Sequence, residues 1–588
     1  MEKVDKAIQK SIYESVASLG VDVTLDDIEV KNTTDPRFGD KTSTIALKLS
    51  KKVGKSPMDF AKDIVSSLKV VPSVSDIQVV KPGFINFHIA DEDYKKVLEK
   101  INSDYGKGSL GQGRKVMIEY GDINTHKAMH VGHVKNLISG NCIENLYKNM
   151  GFDVITANYY GDVGMQVAKC TWGSMQKGIP DDFITWDINL RAEYMDDCYV
   201  YAAQKYKEDK RAQKEIRQIN KEIYAYYKNE NTDKTENSEV VRMYLFWRKV
   251  SKEHQKEIFQ YLDVAHDEDY PESSVAEDAV AIIKSNTGPE AIFQEDDGAV
   301  IFRGEDYGLR TWVFINSEGN PTYSGKDMGL AERKMEDYPD LDLSIMMTSV
   351  EQIDYFKAVI KAIELLHPEY IGKFKHIPFG WLLIENKKTS SRKGNALKGR
   401  DLIQLAIEQA QTKISARKKY KPDEIDAISS AVGIAALKFL ILSREFHKDV
   451  NFDPENFVVL EGFSGPYIMY GYARANSILE KAAKNGVNAK LPDSLDEVLN
   501  SSEEIDLLKK LSEFPGVAEK AYELTSPHLV CNYLFELAKL FSNFYDKHSV
   551  LGLEDSNVAA ARLKLVEAVS VVLKSGLALL GIRVVEQM

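Results

Sequence analysis

Hydrophobic positions along this chain change their period several times, and each change marks an element. From Arg114 to Tyr120 an apolar, β-branched run reads as a buried strand. A polar loop comes next, from Gly121 to Lys127. Val134, Leu137, Ile138, Ile143, Leu146, Tyr147 and Met150 then recur every three or four residues, as on one helix face, and Gly151 stops the helix where a left-handed cap belongs. Phe152 to Asn158 reads as a second strand. Strand, loop, helix and strand in that order predict a right-handed parallel crossover, half of a nucleotide-binding fold. Further on, Val300 to Arg303 and Arg310 to Ile315 read as strands, and Ser344 to Val350 as a buried parallel strand.

Flanking patterns divide the chain. Lys3 to Leu19, Gly39 to Ser50 and Pro57 to Leu68 have helical spacing, with Pro57 near a first turn. Val74 to Val80 and Phe84 to Ile89 pair around Pro82-Gly83. The glycine-rich stretch Gly106 to Gly113 closes this part as a linker. Thr185 to Asp263 is long, charged and helical, and Lys205 to Glu239 is polar on most faces, as in a solvated insertion. After Asp401 the stripes Leu402–Ser415, Ala427–Leu442, Tyr467–Ala483, Leu529–Tyr545 and Leu563–Gly581 predict an all-α bundle. The expected division is residues 1–110, then 111–400 with a helical insertion at about 165–300, then 401–588. The fold class is α/β: a Rossmann-type core, a small N-terminal α/β domain and an all-α C-terminal bundle.

Composition narrows the class. A chain of 588 residues exceeds a single core, and 44% hydrophobic with 28% charged residues is ordinary for a globular protein. Met1 to Leu19 has no signal-peptide core, and no apolar run approaches membrane-spanning length, so a cytoplasmic location is expected. Cys142, Cys170, Cys198 and Cys531 form no C-x-x-C pair, which suggests neither zinc nor a disulfide framework. The net charge of −13 disfavours non-specific coating of nucleic acid but leaves room for a local basic track.

Candidate chemistry collects at the predicted helix start. His130-Val-Gly-His133 sits where free backbone N–H groups and the macrodipole favour phosphate, and Lys127 adds positive charge. Gly132, having no side chain, would let a flat base lie against the backbone. Two structural histidines are the plainer alternative. Tyr323 and Asp327, four apart, share one helix face; they read either as cap and core or as a pocket for a guanidinium. Gln352 lies beyond a strand end and is either a polar cap or a ligand contact. Lys387 to Asn395 is basic and hydroxyl-rich, suited to closing over a polyphosphate or else plain surface. Tyr467, Tyr470 and Tyr472 with Arg474 could be helix core or a stacking platform for unpaired bases.

Glu119 to His133 resembles the signature of class I aminoacyl-tRNA synthetases, and within them arginyl-tRNA synthetases. Glu119, Asn124, Lys127, His130 and His133 keep the family spacing, while Gly121, Asp122 and Ile123 stand where serines and proline are usual. Lys388, Ser390, Ser391, Arg392, Lys393, Gly394 and Asn395 resemble the arginyl form of the second signature loop, with Thr389 in place of methionine. The stretch from Gly465 to Arg474 resembles the family's anticodon-binding helices, and Gly39-Asp40 with Pro82 to Phe87 resembles its N-terminal tRNA-elbow domain. Where the family commonly has histidine, this chain has Tyr355.

The resemblance implies a ligase that activates L-arginine with ATP to arginyl-adenylate, releasing pyrophosphate, and transfers it to the 3'-terminal adenosine of tRNA(Arg), with Mg2+ as part of the nucleotide substrate, no zinc, no membrane partner and a monomeric state. It assigns phosphate chemistry to Lys127, His130, Gly132, His133, Lys388, Ser390, Ser391, Arg392 and Lys393. Glu119, Asp122, Asn124, His133, Tyr323, Asp327 and Gln352 would bind arginine; Tyr467, Tyr470, Tyr472 and Arg474 would meet tRNA. Another class I synthetase would share the histidines but lack the Tyr323/Asp327 pocket. A small nucleotidylyltransferase would need no helical C-terminal third, and a non-catalytic tRNA-binding paralogue would have lost the histidines or the loop lysine.

Overall fold

The structure is a computed structural model that describes every residue except 1, 34, 228–237, 385–386, 389–396, 417–419, 488–490, 492–497 and 587. Its N-terminal part begins with α1 (Glu2–Ser18), then β1 (Lys31–Asn32), β2 (Lys41–Ser43), α2 (Ile45–Val53), α3 (Pro57–Ser66), β3 (Val74–Val80), β4 (Phe84–Ile89) and the short α4 (Asp91–Lys95). The strands form an antiparallel sheet in the order β1-β2-β4-β3. The single helix expected over Gly39 to Ser50 is corrected: its first residues are β2, because Lys41, Thr42 and Ser43 pair with Phe87, Asn86 and Ile85. Ser56 caps α3 by accepting from Asp59 N at 3.1 Å, with Pro57 in the first turn where its missing N–H costs nothing.

The centre is a five-stranded parallel sheet. β5 (Lys115–Glu119), α5 (Val131–Asn149) and β6 (Asp153–Tyr160) form the predicted unit. The chain then runs through α6 (Met165–Lys177), α7 (Ile188–Glu208), α8 (Lys210–Tyr227) and α9 (Glu239–Leu262) before re-entering the sheet at β7 (Glu268–Pro271). The helical insertion therefore ends near 262, not 300. Beyond β7 lie α10 (Ala276–Ser285) and a small antiparallel sheet of β8 (Phe293–Asp296), β9 (Ala299–Phe302) and β10 (Trp312–Ile315). Next come α11 (Tyr323–Asp337), β11 (Leu341–Ser349), α12 (Ile353–Leu366) and β12 (Phe374–Phe379). The main sheet runs β12-β11-β5-β6-β7, parallel throughout. Its register levels Met346, Glu119 and Ala157 at one edge, so the loops after β5, β6, β7 and β11 open on the carboxyl side, where such sheets bind ligands.

A second small sheet, β13 (Leu382–Ile384), β14 (Lys387–Lys388) and β15 (Val450–Phe452), leads into the helical third. Its helices are α13 (Gly399–Ser415), α14 (Pro422–Leu442), α15 (Gly465–Lys484), α16 (Ser502–Glu523), α17 (His528–Lys547) and α18 (Ser556–Leu579). α16 is not evident from the sequence because its capping box, Ser501 with Glu504, lies among charged residues that blur the stripe. One expectation about length also fails: Glu424–Leu442 is long and apolar enough to cross a membrane by composition, but here it is a helix of the bundle, more than half buried.

α5 differs from its one-faced pattern. It is enclosed on nearly every side, including Lys135, Asn136, Ser139, Asn141 and Glu144, since the sheet covers one face and the C-terminal helices the other. Cys142 Sγ donates to Leu579 O at 3.3 Å, and Lys135 Nζ donates to Trp381 O at 3.3 Å. The N-terminal domain docks on α16 through Lys509–Asp40 at 2.7 Å and Tyr105 OH to Leu511 O at 3.1 Å. One apolar cluster thus runs from α1 through α5 to α18.

Gly140 is a point of very close approach between α5 and the end of β5: a Cβ there would meet the Tyr120 ring at 2.1 Å. Gly140→Val is expected to lower the unfolding free energy by about 1–3 kcal/mol, the usual cost of overpacking, read as a lower urea midpoint. An unchanged midpoint would mean that the ring swings aside freely.

Candidate active site

The loop after β5 is conformationally demanding. Asp122 (φ +46°) and His126 (φ +61°) are non-glycine residues in the left-handed region, a strain that persists only where surroundings enforce it. Here the enforcing contacts come from the insertion. His126 is buried and stacked on Tyr244 at 5.2 Å, and its backbone N–H donates to Ser251 Oγ at 2.8 Å. Burial holds its imidazole near pKa 3, hence neutral. Asn124 Oδ1 accepts from Gly161 N at 3.2 Å and ties this loop to the one after β6.

His130 caps α5. Its Nδ1 accepts from Gly132 N at 3.1 Å, while His133 Nδ1 accepts from His130 N at 3.2 Å, a reciprocal capping box made of two imidazoles. The rings stack at 3.8 Å. Each Nδ1 is an acceptor, so each ring proton stands on Nε2, and both histidines present an Nε2–H donor. Desolvation, with the charge of Lys127 nearby, lowers His130 to about pKa 4 and pushes His133 well below its ordinary value. They act as neutral donors at pH 7. At Gly132 a Cβ would lie 2.9 Å from the His130 ring, so the glycine makes room for that ring.

Lys127 lies 5.6 Å from the Tyr199 ring on α7 and within the field of Asp196. The chain enters the second signature loop at β14 and leaves it at Lys398, which is bridged to His130, with Gly399 N donating to Met129 O at 2.8 Å. The far end of that loop is thus anchored beside the histidines. Ser390, Ser391, Arg392, Lys393, Gly394 and Asn395 lie outside the described residues, as does the side chain of Lys388.

Across the sheet edge, charge is unevenly compensated. Glu119 pairs with Lys334, and Glu272 with Lys326, all four side chains at most about 6% exposed. Asp327 and Asp122 form no ion pair among the described residues. Asp327 Oδ2 accepts from Tyr355 OH at 2.5 Å, and Asp122 Oδ1 is enclosed without a partner among the described residues. Desolvation raises Asp327 to about pKa 7, the Tyr355 bond opposing and Glu119 and Glu272 adding to the rise. Asp122 is driven well above the carboxylate range by desolvation, then by Glu119 and Asp327. Tyr159 OH, close enough to feel Asp327, is buried and unpartnered among the described residues. When ionised, the set carries two negative charges that no lysine pairs.

Other expected positions are less uniform. Tyr323 is 60% exposed at the mouth, its ring 4.7 Å from Lys326 Nζ. Glu119 supplies no free charge, because Lys334 takes it up. Gln352 is exposed in a single 3-10 turn beyond β11. In the bundle, Arg474 is held between Tyr470 at 4.8 Å and Tyr545 at 4.7 Å, and Tyr467 packs on Phe535. Tyr472 is corrected: at 3% exposure it is core, because α15 turns it inward, and its ring offers no stacking face.

Sequence reasoning missed Lys334, Lys326, Glu272, Tyr159, His126 and Asp162. Lys334 was findable, seven residues after Asp327 on the same helix face. Asp162 was not. It is fully buried, accepting from Ser273 N at 2.9 Å and Ser273 Oγ at 2.8 Å, with Arg248 at 3.3 Å, and so joins the insertion to the loop after β7. Among the described residues no three His, Cys, Asp or Glu side chains are placed to share a metal ion.

Known proteins share this domain organisation and fold. A model of the class I (R) tRNA synthetase catalytic domain matches residues 96–454, one of the DALR anticodon binding domain matches 468–588, and one of the arginyl tRNA synthetase N-terminal domain matches 4–89. The chain is similar to the arginine–tRNA ligase of Clostridium acetobutylicum, 29% identical over 86% of each chain. It is 27% identical to that of Fusobacterium nucleatum, with 100% of both covered. Among solved structures, Thermus thermophilus arginyl-tRNA synthetase superposes with a TM-score of 0.77 at 23% identity, covering 99% of this chain and 100% of that one. The Plasmodium falciparum structure gives 0.76 at 20%, covering 100% and 99%. At that identity the structures establish the fold.

Lys334→Met strips the buried Glu119 of its cation and is expected to cost about 3–5 kcal/mol. Adding Glu119→Gln should recover much of the loss in thermal denaturation. Additive losses in the double variant would show that the two side chains act independently.

Proposed function

The chain belongs to the class I tRNA synthetases of the arginyl (R) type, and we propose on that premise that it activates L-arginine with ATP and transfers it to tRNA(Arg). The observation that carries the substrate choice is the pair of carboxyl groups, Asp327 and Asp122, that no lysine pairs among the described residues. Arginine brings two positive groups and one carboxylate. A guanidinium set against Asp327 completes the charge, and a neutral or anionic side chain does not. Tyr323 at the mouth, with Gln352 and Asn124 at the carboxyl ends of the strands, frames the remainder of the amino acid. Glu119 contributes through Lys334, by shaping the wall.

In the first step, an α-carboxylate oxygen of arginine bonds to the α-phosphorus of Mg-ATP, and the bond to pyrophosphate breaks. The protein transfers no proton in this step; it positions the reactants and disperses charge. His130 and His133 donate Nε2–H bonds to phosphate oxygens at the positive end of α5, and Lys127 adds a cation. Lys388, the last residue of β14, and Ser390, Ser391, Arg392 and Lys393, between it and Lys398 in the sequence, stabilise the departing pyrophosphate. In the second step, a ribose hydroxyl of the terminal adenosine attacks the activated carbonyl, and AMP departs. Tyr467, Tyr470 and Arg474, with Tyr545, give the bundle its tRNA-facing cluster, and residues 1–110 the second. Magnesium arrives with the nucleotide. A cytoplasmic monomer with no membrane partner fits this role.

Arginine-dependent ATP–pyrophosphate exchange, run with and without tRNA(Arg), tests the reading directly. Exchange with arginine and none with lysine is expected; no arginine exchange under either condition overturns it. His133→Ala should reduce exchange by roughly two orders of magnitude while tRNA affinity holds, and a parallel loss of tRNA binding would make the histidine structural. Asp327→Asn should raise the arginine KM at least about 30-fold; an unaltered KM removes Asp327 from the pocket.

A further inference from the structure

Asp327 is unusual among the acidic side chains of this pocket in what holds it. Glu119 and Glu272 each have a lysine, and a lysine both orients a carboxylate and cancels its charge. Asp327 has a phenol. Tyr355, from α12, donates its hydroxyl to Oδ2 at 2.5 Å. The ring is fixed edge-on by Trp312 at 5.3 Å and 80°, and by Phe356 at 5.0 Å and 86°, so the hydroxyl has little freedom. A phenol orients without neutralising. It stays protonated, since burial and the neighbouring carboxylate push its own ionisation well above the ordinary value.

We propose that Tyr355 is a specificity-determining positioning residue: it fixes the plane of the Asp327 carboxylate through Oδ2 and leaves Oδ1 and the negative charge for the guanidinium of the substrate. A lysine at this place would fill the pocket with the charge that arginine is meant to bring. The groups that face Asp327 agree with this division. Lys326 and Glu272 form one closed pair, Glu119 and Lys334 another, and Asp122 carries its own unmatched carboxyl. Tyr159, with its buried unpartnered hydroxyl, stands nearby as a further donor or acceptor. The hydrogen bond from Tyr355 also favours the ionised form of Asp327, against desolvation and the two glutamates. Removing it weakens arginine recognition in two ways: the carboxylate turns, and it is protonated to a higher pH.

The inference rests on the arginine-activating role proposed above, and its test separates the two. Full-length wild-type, Tyr355→Phe and Tyr355→His chains are compared in arginine-dependent ATP–pyrophosphate exchange from pH 6 to 9. Phenylalanine keeps the ring and loses the donor, and should raise the arginine KM about 10- to 100-fold, with the ATP KM and kcat within a few-fold. It should also move the acidic limb of kcat/KM for arginine to higher pH. Histidine, which has a ring N–H, should restore part of the KM. Phe and wild-type chains with equal arginine KM and coincident pH profiles overturn the assignment. So does a Phe chain whose ATP KM and kcat worsen in step with its arginine KM and whose pH profile is unmoved, the mark of a merely structural ring. A wild-type chain that shows no arginine-dependent exchange overturns the role itself.

Discussion

The carboxyl edge of the main sheet holds more negative charge than the protein neutralises. Four carboxyl groups gather there, and among the described residues two lysines pair with them, Lys334 with Glu119 and Lys326 with Glu272. Leaving Asp122 and Asp327 unmatched costs stability, as any desolvated charge does. The chain tolerates the cost because the surroundings over-determine the geometry: a left-handed Asp122, a tyrosine clamped against Asp327, and a loop pinned to the insertion by His126. The result is the charge balance that the proposed guanidinium of the substrate would complete.

The same constraint explains why one helix organises three domains. α5 carries neutral His130 and His133 at its N-terminus, the position proposed for the reacting phosphate, while its flanks are buried. The sheet encloses one side and the helical third the other, so the anticodon-binding bundle packs directly on the helix proposed to meet ATP. Asp162 and His126 do the equivalent for the insertion, fastening its helices to the loops after β5, β6 and β7.

Much of this was legible in the sequence, for physical reasons that differ by element. The crossover unit was readable because β-branched and helical periods alternate cleanly from Arg114 to Asn158, and the paired strands Val74–Val80 and Phe84–Ile89 because Pro-Gly punctuates them. Residues 41–43 read as helix in the sequence because three residues cannot declare a period, and tertiary pairing with β4 decides them. The burial of α5 on all sides was invisible, since its second partner lies hundreds of residues away. In the candidate site, spacing singles out His130, His133 and Asp327, whereas it does not single out Lys334, Lys326 and Glu272: lone lysines and glutamates on helices read as solvated faces until the fold encloses them. Tyr472 shows the reverse error, an aromatic that looked like a platform and is core.

The central claim is that substrate charge completes a deficit held partly in protonated carboxyl groups. Calorimetry of arginine binding to the full-length chain, repeated in buffers of low and high ionisation enthalpy, tests it most directly. With Asp327 near pKa 7 and Asp122 well above the carboxylate range, a bound guanidinium favours the ionised forms and expels protons. The account predicts net proton release near neutral pH that fades as the pH rises and the carboxyls ionise beforehand. Arginine binding with the same heat in both buffers, at every pH, would contradict it.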